Sequence, residues 1–562
     1  MNKIRKIVLI SIPLLILFSI IFTIFLFYGD TDFFLRNYSS IIKYSISDDY
    51  ELPKRNIDVL SYELKLDISQ NEKSIKENAK IKLIAFDKTE KNIELDFYDN
   101  FEINYVKIDG KNALYVYEND KIEISTNNFK NDTITVEIDF EGKPQNLGFG
   151  SFRFEEKEGK HFVATLNEPI YASTWFPCND TPEDKSLLTI SITNDSNIVS
   201  LSNGNLINKI TKGDRRTYVW KSEYPIATYL VSIYSAEYEN FNQKYISDND
   251  TINFEYYVTD KNLENAKKDF SNHPKYLKIL SKLFGEYPFK KEKYGVVEML
   301  WQQGAMESQT ITAIGSNFIS GMNFYESMLI HELAHHWWGN SVTPKTWNDI
   351  WLNEGFATYS EALYYEKISG FDALKSTMSS FKSRINSDDT QKLYNPGTNL
   401  FSSTVYNKGA WVLHMLRKEI GDSLFFSGIK TYYNKFKYGN ANTQDLIQIF
   451  ETVSNRNLDK FFNQWIFEGT GILELEIKLS EKVISKSEIE LKIDIKQIQT
   501  GYENYHFPFE IELEDSSGNI KNISSYIKGN TNLKYKLKNR LKNAYFDKNN
   551  WLLAFIETEI YR

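Results

Sequence analysis

His331, Glu332 and His335 stand in the run HELAHHWWGN, and Glu354 follows in WLNEGFATY after 18 intervening residues. Residues four apart on an α-helix share a face, about one turn along, so His331 and His335 can grip one ion. Glu332 sits about 100° around the helix from His331, where it reaches a water beside the metal without being a ligand. Glu354, on a second helix, completes a set of two imidazoles and one carboxylate, with the fourth position left to water. Such ligands around an open position favour Zn²⁺, one per chain. Zinc lowers the pKa of that water to around 7, and Glu332 can take its proton. The implied chemistry is metal-assisted hydrolysis. Histidine is scarce, 7 in 562 residues, yet three fall within 331–336, which argues against a chance pair on a surface helix. His336 points off the ligand face and is expected to be structural, and Trp337 and Trp338 to pack behind the ligand helix. Glu361, seven residues past Glu354 on the same face, either accepts a hydrogen bond from a ligand histidine or is a solvated glutamate.

The elements that must hold these groups can be read from periodicity. Tyr62, Leu64, Leu66 and Ile68 alternate with other residues, as do Ile93, Leu95 and Phe97, then Ile134, Val136, Ile138 and Phe140. Turn residues such as Asp109-Gly110 separate the runs. To about Asp250 this predicts an antiparallel all-β domain with one solvated face. Helical spacing begins at Asn262–Phe284 and recurs in Asn323–Gly339, Glu354–Ile368, Thr404–Ile420 and Thr443–Val453. From Ile472 the period returns to two, through Leu473, Leu475, Ile477 and Leu479, then Ile489 to Ile495, then Phe509, Ile511 and Leu513. That pattern predicts a small β-sandwich.

The bulk numbers bound the answer. A chain of 562 residues suggests about three or four domains. Hydrophobic residues at 41% and charged residues at 25% make it globular. The net charge of −9, with no basic block beyond the N-terminus, argues against nucleic acid as a partner. Cys178 is the single cysteine, which excludes an intrachain disulfide and a cysteine metal cluster. Lys3, Arg5 and Lys6 precede an uncharged run from Ile7 to Tyr28, about 33 Å long as a helix, and Asp30 and Asp32 follow it. An apolar run this long, without an A-x-A-like site after it, predicts an uncleaved membrane anchor rather than a signal peptide. The charge bias puts everything after Tyr28 outside the cell.

HELAHHWWGNSVT followed by WNDIWLNEGFATYSEAL resembles the aminopeptidase N family of gluzincin metallopeptidases. LFGEYPF, QQGAMESQT, EPIYASTWFPCNDTP and VYNKGAWVLHML are similar to further segments of that family and occur in its order. The apolar run and the changes of period divide a multidomain α+β chain into anchor (1–29), juxtamembrane stalk (30–55), N-terminal all-β domain (56–250), mainly helical zinc domain (251–470) and C-terminal β-sandwich (471–562), and the resemblance implies that the zinc domain is thermolysin-like. It implies that Glu307 and Glu168 bind the free α-amino group of a peptide substrate. It also implies that Gly304 and Ala305 lie on an edge strand pairing with the peptide backbone, and that Tyr406 donates its hydroxyl to the developing oxyanion. An ammonium held by two carboxylates lets only the first peptide bond reach the metal, so the expectation is an outward-facing zinc aminopeptidase.

The chain departs from the family pattern in several places. Ser308 stands where the family usually has Asn, which would loosen the amine site. Ile472 replaces a Gly-x-Pro turn, and the interval from His335 to Tyr406 is short. Longer relatives add a helical domain that closes over the site, so a more open cleft is expected. The alternatives are a zinc endopeptidase, a non-catalytic peptide-binding scaffold and epoxide hydrolysis on the same metal.

Overall fold

The computed structural model describes residues 56–561, apart from short stretches at 87–90, 127–132, 146, 148–150, 248–249, 302–303, 387–388 and 486–487. The anchor and stalk expected from the sequence lie outside the described residues. No helix among the described residues is long and apolar enough to cross a membrane.

Alternating side chains build the first layer. Ile57–Ser69 and Ser74–Ala85 turn one face inward, burying Tyr62, Leu64, Leu66 and Ile68 with Ala79, Ile81 and Leu83. They belong to a nine-stranded sheet, in which Ile57–Ser69 pairs antiparallel with Ser74–Ala85 but parallel with Lys185–Asp195. The expectation of a purely antiparallel domain is corrected by that pair. Alternation fixes which face is buried, not which distant strand lies alongside. A four-stranded sheet of Val199–Ser202, Ile233–Ala236, Lys160–Leu166 and Ser151–Lys157 ends close to Glu168.

The boundary expected at 250 falls inside a hairpin. Glu239–Ile246 pairs with Thr251–Val258, which continues into Tyr294–Met299 and Ile311–Gly315. Ala305–Met306 is the edge of this five-stranded sheet. The helices pack behind it: α1 (Leu263–Asp269), α2 (His273–Phe284), α3 (Glu326–Ala334), α4 (Trp351–Ser369), α5 (Phe371–Ser383), α6 (Gly409–Ile420), α7 (Asp422–Phe436), α8 (Thr443–Ser454) and α9 (Asp459–Phe462).

The single helix expected over Asn262–Phe284 is two. Pro274 sits in the first turn of α2, where its missing N–H costs nothing. The break frees the end of α1 for another task. The Asp269 carboxylate accepts the backbone N–H groups of Ser320 (2.6 Å), Gly321 (2.8 Å) and Asn323 (2.7 Å), pinning the loop that leads into α3. α3 is also shorter than its sequence pattern, because the chain turns irregularly after His335 and Gly339 takes φ +117°. After α9, Thr531–Leu537, Glu488–Gln497, Leu473–Ser485 and Ala554–Tyr561 form one sheet. Ile520–Lys528, His506–Asp515 and Leu541–Phe546 form another. The alternating residues Leu475, Ile477, Leu479, Leu491, Ile493, Phe509, Ile511 and Leu513 are buried.

Candidate active site

α3 carries His331 and Glu332 and ends against His335, and α4 carries Glu354 in its first turn. The structure brings His331, His335 and Glu354 together. Their nearest ligand atoms all lie within 4.8 Å of one another. His331 Nε2 is 3.4 Å and His335 Nε2 3.5 Å from Glu354 Oε2. Four ligands about 2.0–2.2 Å from a tetrahedral zinc stand roughly 3.4 Å apart, so the donor set fits that ion. The opposite ring nitrogens are held. His331 Nδ1 lies 2.9 Å from Glu361 Oε1, and His335 Nδ1 lies 3.0 Å from the Trp338 carbonyl. A proton on each Nδ1 satisfies those contacts and leaves the Nε2 lone pairs facing Glu354. Of the two expectations for Glu361, the structure shows the hydrogen bond to His331 rather than a solvated glutamate. Glu361→Gln should weaken zinc binding about 10–100-fold, measured by competition with a chromogenic chelator. Undiminished affinity would mean that the contact does not steer His331.

The packing behind this set explains its precision. Trp337 and Trp338 are buried, with Trp338 against Phe284 and Phe356. His336 faces away, accepting Thr310 N–H at Nε2 (3.1 Å) among Tyr287, Phe289 and Tyr294. Burial holds its pKa down at about 3, so it stays neutral and structural.

Three more carboxylates crowd the same space. Glu168, Glu307 and Glu332 are buried, and Glu168 Oε1, Glu307 Oε1 and Glu332 Oε2 have no hydrogen-bond partner. Glu168 and Glu307 come within 4.8 Å of Glu354. Burial pushes Glu168 well up, and Glu307, Glu354 and Glu332 push it further. Burial also raises Glu332, to about 8, against the pull of His331 and His335 and with the push of Glu307 and Glu354. Burial would lower His335, yet Glu307 and Glu354 lift it to about 9. Burial would raise Glu354, yet the two histidines hold it at about 2. Carboxyl groups outnumber the histidines here, and burial and mutual repulsion press Glu168, Glu307 and Glu332 toward the protonated form, a strain that a dication and a substrate ammonium would relieve.

The remaining expected residues surround one cavity of about 250 Å³, lined by Glu168, Gly304, Ala305, Glu307, the donor triad, Glu332 and Tyr406 among others. Tyr406 lies in a π-turn over Thr404–Lys408, a geometry common at functional sites. Its ring stacks on that of His331, 5.8 Å away. α4 and the start of α6 touch at Gly355 and Gly409. A Cβ on Gly355 would come within 2.9 Å of Gly409 Cα, and one on Gly409 within 2.9 Å of Gly355 Cα. That close approach brings the segments carrying Glu354 and Tyr406 together at the cavity that both line. Asn340 Nδ2 donates to the Glu307 carbonyl (2.7 Å), fixing the backbone of that acid. Ser308 turns away from the cavity to share a hydrogen bond with Tyr234 (3.0 Å).

Sequence reasoning passed over Thr358, Arg384 and Asn407, which also line the cavity. Thr358 was within reach, four residues from Glu354 on the same helix face. Arg384 left no local signal.

Comparison with known proteins agrees with this architecture. The Peptidase M1 N-terminal domain matches residues 59–230 and the Peptidase family M1 domain residues 268–465. "Probable aminopeptidase 1" of Sulfurisphaera tokodaii is 27% identical over 73% of this chain and 53% of its own. "Alanine/arginine aminopeptidase" of Saccharomyces cerevisiae is 25% identical over 83% and 58%. The chain thus spans a little over half the length of these relatives. The M1 zinc metallopeptidase from Deinococcus radiodurans superposes with TM-score 0.67 at 22% identity, over 74% of this chain and 95% of that one. Legionella pneumophila aminopeptidase A in complex with aspartic acid gives 0.78 at 17% identity, over 92% and 61%. At these identities the two structures speak for the fold.

Proposed function

We infer that this chain, which belongs to peptidase family M1, is a zinc-dependent aminopeptidase that removes the N-terminal residue from peptides. The observation that carries the reading is the pair of buried carboxylates, Glu168 and Glu307, each with one oxygen lacking a hydrogen-bond partner, set beside a donor triad of zinc spacing in one cavity. His331, His335 and Glu354 would hold the zinc, which would supply a Lewis acid to polarise the scissile carbonyl and acidify a water.

The chain's own residues do the rest. Glu168 and Glu307 hold the substrate's ammonium, which fixes the first residue and brings only its carbonyl to the reacting position. The edge at Ala305–Met306 has a free side for the peptide backbone to extend the sheet. Glu332 takes the proton of the attacking water and passes it to the departing amine. Tyr406 donates its hydroxyl to the oxygen on which charge develops. The burial of Glu168, Glu307 and Glu332 strengthens each of these charge contacts.

The reading extends to location. The basic N-terminus and the apolar run Ile7–Tyr28 support a single-pass anchor in the cell membrane, with the catalytic part outside.

The decisive experiment compares one peptide with a free and an acetylated N-terminus, with and without a chelator. The free peptide should lose its first residue, the acetylated one should remain intact, and the chelator should stop the reaction. Cleavage of the acetylated peptide would instead identify an endopeptidase.

A further inference from the structure

The cavity carries one charge that amine capture and proton transfer leave unused. Against the carboxylates of Glu168, Glu307, Glu332, Glu354 and Glu361, the lysine or arginine among its described lining residues is Arg384. The arginine ion pairs of the described residues belong to Arg153, Arg215 and Arg417. The guanidinium of Arg384 enters none of them and lies 5.9 Å from the Phe381 ring.

Its place along the cavity follows from its tethers. The Arg384 carbonyl accepts from Ser403 Oγ (2.5 Å), and the Ser403 carbonyl accepts from Asn407 Nδ2 (3.1 Å). The base of Arg384 is thus tied to the turn that carries Tyr406, whose ring lies over His331. Glu168 and Glu307 gather at Glu354, and Glu307 faces His335. Acid pair, donor triad, phenol and guanidinium thus line one cavity, with Arg384, itself exposed, rooted beside the turn of Tyr406. A peptide whose ammonium sits on the acid pair presents its first carbonyl at the triad. The part beyond the cleaved bond then runs toward Tyr406 and Arg384.

We propose that Arg384 binds a carboxylate on the leaving side of the cleaved bond, so that the favoured substrates are di- and tripeptides whose C-terminal carboxylate reaches it. This rests on the aminopeptidase reading. A guanidinium fork matches a carboxylate in a two-bonded pairing. The cavity, about 250 Å³, lies just under the roughly 300–1,000 Å³ of usual ligand pockets. An acid pair and a guanidinium lining one cavity offer partners of both signs to the two ends of a zwitterionic peptide. An acidic side chain after the cleaved bond offers the same chemistry, so the test separates the two sources.

The zinc-loaded full chain is assayed on Leu-Gly and Leu-Gly-Gly as free acids and as C-terminal amides, on Leu-Asp-amide, and on leucine p-nitroanilide. The free acids should exceed their amides in kcat/KM by about tenfold, the scale of one charge-assisted hydrogen bond, with the difference in KM. In R384Q that ratio should fall toward one. Equal rates on free acids and amides in the unaltered chain would overturn the proposal, and that comparison needs no variant. A ratio that R384Q leaves unchanged would also overturn it. Selective preference for Leu-Asp-amide would overturn the short-peptide assignment, giving the carboxylate to a side chain. Leucine p-nitroanilide has no carboxylate. Failure to cleave it would count against the aminopeptidase reading itself, whatever Arg384 does.

Discussion

Replacing Glu332 by glutamine should leave one zinc per chain in place and lower kcat by about 10²–10⁴-fold, the range of a positioned general base. Glu332 is outside the triad whose ligand atoms converge, and its Oε2 is buried without a partner. The amide has nearly the same shape, so packing around α3 is kept, but it cannot take a proton. Metal analysis and single-turnover kinetics on the same preparation read the two halves of this result. Wild-type turnover would remove Glu332 as the base. Loss of metal would make it a ligand instead.

Tyr406→Phe should retain both zinc and ground-state affinity while kcat drops about 10²–10³-fold, the usual cost of losing one donor to a developing oxyanion. The stacking on His331 involves the ring alone, so the phenylalanine keeps the wall of the cavity. An interaction made only in the transition state lowers kcat and kcat/KM equally. A raised KM at unchanged kcat would show that the hydroxyl binds substrate rather than the transition state.

How far the sequence reached depends on how local each signal was. His331 and His335 were legible because one turn of helix dictates their common face, and Glu354 because a carboxylate at that interval had few other uses. Glu361 could only be left open. Its face was known, but whether His331 Nδ1 lay 2.9 Å away depends on the packing of α4 against α3. Glu168 and Glu307 follow strands of two different sheets, and their roles came from motif resemblance. Physics contributes their shared burial, which no local pattern encodes.

The misses follow the same logic. Helical spacing could not separate the π-turn over Thr404–Lys408 from α6, because five residues are too few to tell one helical pitch from another. The break between α1 and α2 was signalled by Pro274, but the use made of it, Asp269 meeting the loop before α3 some fifty residues on, was not. The hairpin at 239–258 alternates like the strands before it, yet it joins the sheet behind the site. A period of two says that a strand has two faces and is silent about its neighbours. Arg384 is a single arginine in a connecting segment, visible only once Ser403 and Asn407 are brought beside it.

The bare backbones that meet at Gly355 and Gly409 work as a gauge block between two machine parts. They set the reach from one reacting group to the other through main chain alone, where no rotamer can absorb an error. An engineer wanting new side-chain preferences can therefore rework the outer wall, at Phe318, Tyr325 and Met328, with wide latitude. That seam is the datum against which the rest is calibrated, and it has to be left untouched.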